Sequence, residues 1–426
     1  WFITVIEEWI NTTDLDIIKN YFYNISNIRD CKFEMPKPLL FEDKITDKIK
    51  ILLVTQKWSV GGLEKIMLLN SESEKFDIII SSFENSSIQN ILSFNNNIQN
   101  LISYINNNNI KIVNLHYTLF ELNLLKRETN AKIVMTNHNT YKWFDDKTRE
   151  LFKTFNEYVD YFINVSEQVK DFNVNILKND IKKTITINNG TNITNTHKLN
   201  NEIIEEFRGK KIYISVSSIF TDKGQLELVK AFKEFYDFIN NKDIVLILLG
   251  KILDSNYVDK INNFINSNNI DYIYFRQCSY EDVNTYLDIS ETFILGSYIE
   301  GCSQAIKEAI IKNKKIIISK NVGSNNYLYN NYNNIFLIEN SENMNNIDNS
   351  QKNYNDFLFN KDKSEIINNL LKCLIESTNH KIVQNNNLEN ISTQTMNKKL
   401  DCFYHKLINK EEIKNKIFNN YVFIIY

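Results

Sequence analysis

Short apolar runs separated by stretches of helical pattern recur along most of this chain, and they leave few folds open. They lie at 49–55, 76–80, 110–115, 133–135, 161–165 and 184–187, and again at 211–218, 244–249, 272–275, 293–295 and 316–318. Two parallel strands must be joined by a crossover, usually a helix, so strand–helix alternation predicts a doubly wound parallel sheet. The polar stretch 191–211 divides the runs into two blocks. A chain of 426 residues is also too long for one core. The expected organisation is a first domain over 46–205, a second over 206–375, and a C-terminal helical segment and tail over 376–426 with a last helix at 393–407. Residues 1–45 read as an N-terminal extension or the remnant of an upstream region, joined through a connector that holds both prolines, Pro36 and Pro38. Asn-rich segments near 263–269, 325–354 and 384–390 read as loops.

Composition narrows the function classes. A net charge of −3 and a pI near 6.1 give no basic surface for nucleic acid. The five cysteines are scattered without metal-ligand spacing, which fits a reducing cytoplasm and argues against a zinc site or a disulfide framework. No apolar run approaches the roughly 20 residues of a membrane span. The opening WFITVIEEWINTTD carries acids without a basic flank and is not a signal peptide; its Trp start reads as a piece of something longer. Glycine and proline are scarce, 9 and 2 residues, where an average chain of this size holds roughly 30 and 20. Each remaining glycine is therefore a candidate for a place where a side chain does not fit.

Several glycines mark strand ends, the edge at which open parallel sheets bind ligands. The stretch FILGSYIEGCSQAIKEAIIKNKKIIISKNVG, 293–323, reads as strand, loop, helix, strand. Glu300 sits where the first strand opens into a crevice. Gly301 permits close backbone approach, and the amides of Gly301, Cys302 and Ser303 at the head of an expected 301–313 helix can hold an anion. Glu308 lies further along the helix and can still face the crevice. Carboxylates accept hydrogen bonds from sugar hydroxyls, so two of them beside an anion hole suit a nucleotide diphosphate-sugar. Alone, Glu-Gly is an ordinary turn, and the case rests on the other corners. Gly61-Gly62 forms a glycine-rich turn before a helix without being a G-x-G-x-x-G fingerprint. His116 and His138 each end a strand at one sheet edge. Lys223-Gly224 places a cation and a bare backbone at another helix start.

With these corners placed, the chain resembles the GT-B glycosyltransferases of the retaining family 4 type over about residues 49–407. The resemblance is carried by Glu300-Gly301 with Glu308-Ala309, supported by Gly61-Gly62-Leu63-Glu64, Thr136-Asn137-His138, Val165-Ser166-Glu167, Asn189-Gly190 and Asp222-Lys223-Gly224-Gln225. It implies an α/β chain of two Rossmann-like doubly wound domains facing across a cleft, the first for acceptor and the second for donor. It implies that Glu300 contacts the transferred sugar, Glu308 the ribose, and Lys223 the departing diphosphate, with the Gly301, Cys302 and Ser303 amides helping. Gly62 would border the donor phosphates and His138 the reacting sugar. The catalytic set is thus Lys223, Glu300 and His138, and Ser218 joins the donor-binding set. No metal and no cofactor is expected beyond the nucleotide-sugar cosubstrate. The implied acceptor is a glycan or a lipid-linked molecule of a bacterial surface polysaccharide route, with a cytoplasmic enzyme and room for peripheral contact with the inner membrane face.

One departure bears on donor binding. The family usually has Arg five residues before the motif Lys, where this chain has Ser218. Losing one charge-assisted contact of roughly 1.5–3 kcal/mol weakens binding about 10- to 150-fold unless another cation substitutes, and Arg276 is a candidate substitute. Two other readings stand beside the transferase: a nucleotide-sugar epimerase of the same architecture, and a non-catalytic sugar-nucleotide-binding module, which Ser218 favours.

Overall fold

The computed structural model describes residues 48–59, 61–86, 91–193, 197–342 and 350–409. The N-terminal piece expected over 1–45, with Pro36 and Pro38, lies outside them, as does the tail beyond 409.

The first sheet is built from β1 (Lys50–Thr55), α1 (Gly62–Asn70), β2 (Asp77–Ser82), β3 (Leu92–Ser93), α2 (Ile98–Asn107), β4 (Ile112–His116), α3 (Asn123–Glu128), β5 (Lys132–Asn137), α4 (Asp146–Tyr158), β6 (Tyr161–Asn164), α5 (Glu167–Asn175) and β7 (Thr184–Thr186). After α6 (Asn201–Glu206) the second follows: β8 (Lys211–Val216), α7 (Gln225–Phe238), β9 (Ile244–Leu249), α8 (Ser255–Ser267), β10 (Ile273–Arg276), α9 (Tyr280–Ile289), β11 (Ser290–Leu295), α10 (Gln304–Ile311), β12 (Lys315–Ser319), α11 (Asn325–Asn331) and β13 (Ile335–Ile338). The chain closes with α12 (Gln351–Asn360), α13 (Ser364–Thr378) and α14 (Thr393–Ile408). The strands run in parallel in the orders β3-β2-β1-β4-β5-β6-β7 and β10-β9-β8-β11-β12-β13. Two doubly wound α/β domains of the Rossmann-like kind are therefore present, as the alternation predicts.

Helices on both faces bury the inner strands, which is why they read as continuous apolar runs, while the edge strands β3, β10 and β13 are only half-buried. All six residues of β9, IVLILL, are buried. In each sheet the winding reverses beside its first strand: β1 lies between β2 and β4, and β8 between β9 and β11. The loops leaving such a pair diverge to opposite faces and open a crevice at the strands' carboxyl ends. The two crevices face each other.

α14 belongs spatially to the first sheet. Its Met396, Leu400, Phe403 and Tyr404 share an apolar cluster with Ile51 and Leu53 of β1. The buried Asn114 of β4 is made tolerable there because its amide donates to the Tyr404 hydroxyl at 2.9 Å. At the point of return, Thr191 and Ser392 form an isolated parallel bridge, so the two segments passing between domains run side by side.

The Asn-rich stretches depart from expectation. Part of 263–269 lies in α8, and 325–354 contains α11, β13 and the start of α12; a short 3-10 turn, Leu388–Ile391, enters the third. Asn is a poor helix former, but burial of one face outweighs its few tenths of a kcal/mol per residue. In α8 that face is Tyr257, Val258 and Ile261, and Asp254 caps the helix by accepting from the Tyr257 amide. In α12 it is Tyr354, Phe357 and Leu358.

Phe403 is 0% exposed, and truncating such a ring costs about 3–5 kcal/mol. Phe403→Ala is expected to lower the denaturant midpoint of the first domain, read by near-UV dichroism. An unchanged midpoint would show that α14 is not packed as described.

Candidate active site

The crevices meet in a cavity of about 450 Å³, and the nine residues of the expected catalytic and donor-binding sets all line it: Gly62, His138, Ser218, Lys223, Glu300, Gly301, Cys302, Ser303 and Glu308. They arrive on the loops after β5, β8 and β11, at the start of α1 and on α10.

The loop after β8 is held from both sides. Gly224 takes a left-handed φ of 67° as the N-cap of α7, a conformation that a side chain rarely adopts. A Cβ there would also stand 2.8 Å from the Gly296 carbonyl. That contact brings the β8 and β11 loops together, and the Tyr298 amide donates to the Asp222 carbonyl at 2.8 Å. Gln225 sends its amide to the Ser217 hydroxyl at 3.0 Å and the Ser218 carbonyl at 2.9 Å. Each residue of Asp222-Lys223-Gly224-Gln225 thus has a local task, and the result is Lys223 held against Glu300 at 2.5 Å. Ser297 donates to the same carboxylate oxygen at 3.2 Å. Burial raises the Asp222 carboxyl pKa, with Lys223 partly offsetting it.

The loop after β11 is fixed against the other domain. A Cβ on Gly301 would overlap the His138 carbonyl oxygen, and one on Gly323 would come within 2.6 Å of the Ser166 hydroxyl. The Gly323 amide donates to the Glu300 carbonyl at 2.7 Å, and Asn189 donates to the Cys302 carbonyl at 3.4 Å. These close approaches explain why glycine stands at both places. At Gly301 backbone meets the backbone of the first domain with no side chain between, whereas Gly323 is closed in by the Gly301 carbonyl of its own loop as well as by the Ser166 hydroxyl.

α10 begins later than expected. Gly301 and Cys302 belong to the preceding loop, Ser303 is the extended N-cap, and the helix runs only from Gln304 to Ile311. The reason is the bridge between Glu300 and Val322, which keeps the chain extended past the strand end. The Ser303 hydroxyl makes no capping bond, so the first-turn amides stay available to an anion. Buried Lys307 donates to the Cys302 sulfur at 2.9 Å and adds positive potential behind the loop.

The two histidines meet. His116 Nδ1 and His138 Nε2 are 2.9 Å apart, because both end neighbouring strands at one edge. Burial pushes His138 down to about 4; burial first, then His138, holds His116 well below the ordinary range. Only His138 reaches the cavity wall. Arg276 is not the substitute cation. It lies within β10, pairs with Glu206 at 2.5 Å and packs over Phe207 and Tyr274.

Sequence reasoning passed over other wall residues. Lys65 of α1 reaches across the cleft and forms an ion pair with Glu308 of α10. Trp58, Lys251, Gln277 and Cys278 also line the cavity, beside Asn189 of the expected Asn189-Gly190 corner. The signal for Lys65 was available in Gly-Gly-Leu-Glu-Lys, since a residue three places after Gly62 shares its helix face. Gln277 and Cys278 carried no motif.

Residues 198–369 match the family model described as glycosyl transferases group 1. No curated protein matches the chain. Among solved structures, a glycosyltransferase from Rickettsia africae ESF-5 is 19% identical with a TM-score of 0.62, covering 86% of this chain and 100% of that one. Anabaena HepE in complex with UDP and glucose is 14% identical, with a TM-score of 0.62 and coverage of 84% and 100%. Sucrose-phosphate synthase from Thermosynechococcus elongatus is 14% identical, with a TM-score of 0.60 and coverage of 85% and 100%. The chain has the GT-B fold, and its second domain carries the group 1 glycosyl transferase pattern.

Gly301→Ala is expected to push the domains apart at His138 and to lower turnover of a nucleotide-sugar by about 100-fold while each domain keeps its far-UV dichroism; wild-type turnover would refute the contact. The histidine pair gives a second expectation. Its depressed pKa means that the unfolded chain takes up a proton first as pH falls below 6.5. The share of folding stability that His138 holds is therefore lost between pH 6.5 and about 4 and its loss then levels off. Denaturant titrations across that range should show His138→Asn less pH-dependent than wild type; equal slopes would refute it.

Proposed function

We propose that the chain is a retaining glycosyltransferase of the family 4 type, moving a sugar from a UDP- or GDP-sugar to a glycan or lipid-linked acceptor. The observation that carries this reading is the convergence of Lys223, Glu300, Glu308 and the Gly301–Ser303 loop on one cavity between two domains. The group 1 match over the donor-side domain and the likeness to HepE, crystallised with UDP and glucose, support it.

In this reading the diphosphate lies against the amides at the head of α10 and the ammonium of Lys223. Glu308 accepts from the ribose hydroxyls, and Glu300 from the transferred sugar. The bond between the anomeric carbon and the β-phosphate oxygen breaks, and its electron pair leaves with the phosphate. The acceptor oxygen bonds to the same face of the sugar, and its proton passes to the departing phosphate. Lys223 and the helix amides stabilise the charge as it grows on the leaving group, the task a divalent cation would otherwise perform. His138, uncharged above about pH 4, borders the sugar as a neutral hydrogen-bonding group. The acceptor lies on the first-domain side, where loops vary most. A role in surface polysaccharide synthesis, in the cytoplasm or against the inner membrane face, fits a lipid-linked acceptor. Among the described residues no helix is long and apolar enough to cross a membrane.

The paired carboxylates are not a glycosidase pair in this scheme, since Glu300 is already neutralised by Lys223 at 2.5 Å. The experiment is incubation with a panel of UDP- and GDP-sugars, with and without EDTA, followed by proton NMR of the released sugar. Slow donor hydrolysis with retained anomeric configuration, unaffected by EDTA, is expected. Lys223→Ala should reduce it by about 100-fold or more, in line with removing one donor to a developing oxyanion. Interconversion of donors would instead mark an epimerase, and binding without turnover an inert module.

A further inference from the structure

We propose that Lys65 is the second cation for the donor's diphosphate, taking the part of the arginine whose place Ser218 occupies. The inference rests on the nucleotide-sugar reading above and assigns a residue within it.

Ser218 lines the cavity but offers no charge, and Gln225 ties its carbonyl. Arg276 is engaged with Glu206 away from the cavity wall. The described lysines on the wall are Lys65, Lys223 and Lys251. Lys251 is exposed on the rim. Lys65 and Lys223 are sheltered, with side chains 21% and 14% exposed, and each is paired with one of the two glutamates.

The two pairs form a matched arrangement. Lys223 and Glu300 both come from the second domain, whereas Lys65 comes from α1 of the first domain and its partner Glu308 from α10 of the second. A nucleoside diphosphate presents two kinds of group. Its phosphates only accept hydrogen bonds, and its ribose hydroxyls can donate them. When Glu308 turns to the ribose, Lys65 loses a carboxylate and gains a phosphate, so no buried charge is left without a partner. A lysine suits this exchange, being a compact charge on a flexible stem with three donors. The consequence is that the diphosphate is gripped from both domains. Its binding then holds the cleft shut, and a ligand without the second phosphate does so less well.

The test is calorimetric titration of wild type, Lys65→Met and Lys65→Met/Ser218→Arg with UDP, GDP and the corresponding monophosphates. Lys65→Met is expected to weaken diphosphate binding about 10- to 100-fold, the effect of one charge-assisted contact. Monophosphate binding should fall about threefold or less. The added arginine should recover most of the diphosphate affinity, which a merely structural lysine would not allow. Glu308→Gln supplies an independent reading should Lys65→Met fail to fold. Freed from its carboxylate, Lys65 should bind inorganic pyrophosphate, which has no ribose, more tightly than in wild type. An unchanged ratio of diphosphate to monophosphate affinity in Lys65→Met, or weaker pyrophosphate binding in Glu308→Gln, overturns the proposal while leaving the transferase reading intact. If wild type binds neither UDP nor GDP, that reading falls and this one with it.

Discussion

The contact on which the architecture depends is backbone against backbone. Gly301 lies on the His138 carbonyl and Gly323 beside the Ser166 hydroxyl, so the loop after β11 is seated directly on the first domain. A methyl group at Gly301 would push the walls apart, and one at Gly323 would strike the Gly301 carbonyl and the Ser166 hydroxyl. Everything that lines the cavity, from Lys223 held at Glu300 to Lys65 reaching Glu308, presupposes that spacing. Scarcity of glycine in this chain therefore has a structural counterpart, since Gly301 stands where the other domain's backbone leaves no room and Gly323 where its own loop and Ser166 leave none.

The second organising constraint is electrostatic. The cavity brings acids and bases to its wall in sheltered pairs rather than as a surplus of one sign. Such pairs are weak evidence for stability, because desolvation opposes the Coulombic gain. Their value lies in what they can exchange. A ligand that carries phosphates at one place and hydroxyls at another can take up both halves of each pair. The buried histidines add a neutral element, since burial keeps His138 uncharged down to about pH 4.

Much of this was legible in the sequence, and for identifiable reasons. Strands buried on both faces must be apolar throughout, so β1, β4, β8 and β9 announce themselves. The strand-end corners, His138, Lys223-Gly224 and Glu300-Gly301, were readable because parallel sheets place ligands at that edge and because so few glycines compete for notice. What was not legible depends on contacts distant in sequence. The pairing of Lys65 with Glu308 spans 243 positions, and no local pattern encodes it. The Asn-rich helices α8, α11 and α12 were hidden because propensity argues against them while burial decides for them. The delayed start of α10 follows from a bridge between Glu300 and Val322, a tertiary event. Arg276 looked available from its position and is not, because Glu206 and two aromatic rings already hold it.

The return of α14 to the first sheet has a mechanical consequence. Among the described residues the polypeptide passes between the halves of the molecule twice, and the bridge from Thr191 to Ser392 lays those passages edge to edge. A single strap permits swivelling as well as bending; two straps fastened together resist torsion and leave bending as the soft mode. The molecule is thus built like a two-ply book spine, a joint that resists shear between its covers and keeps the same printed lines opposite one another.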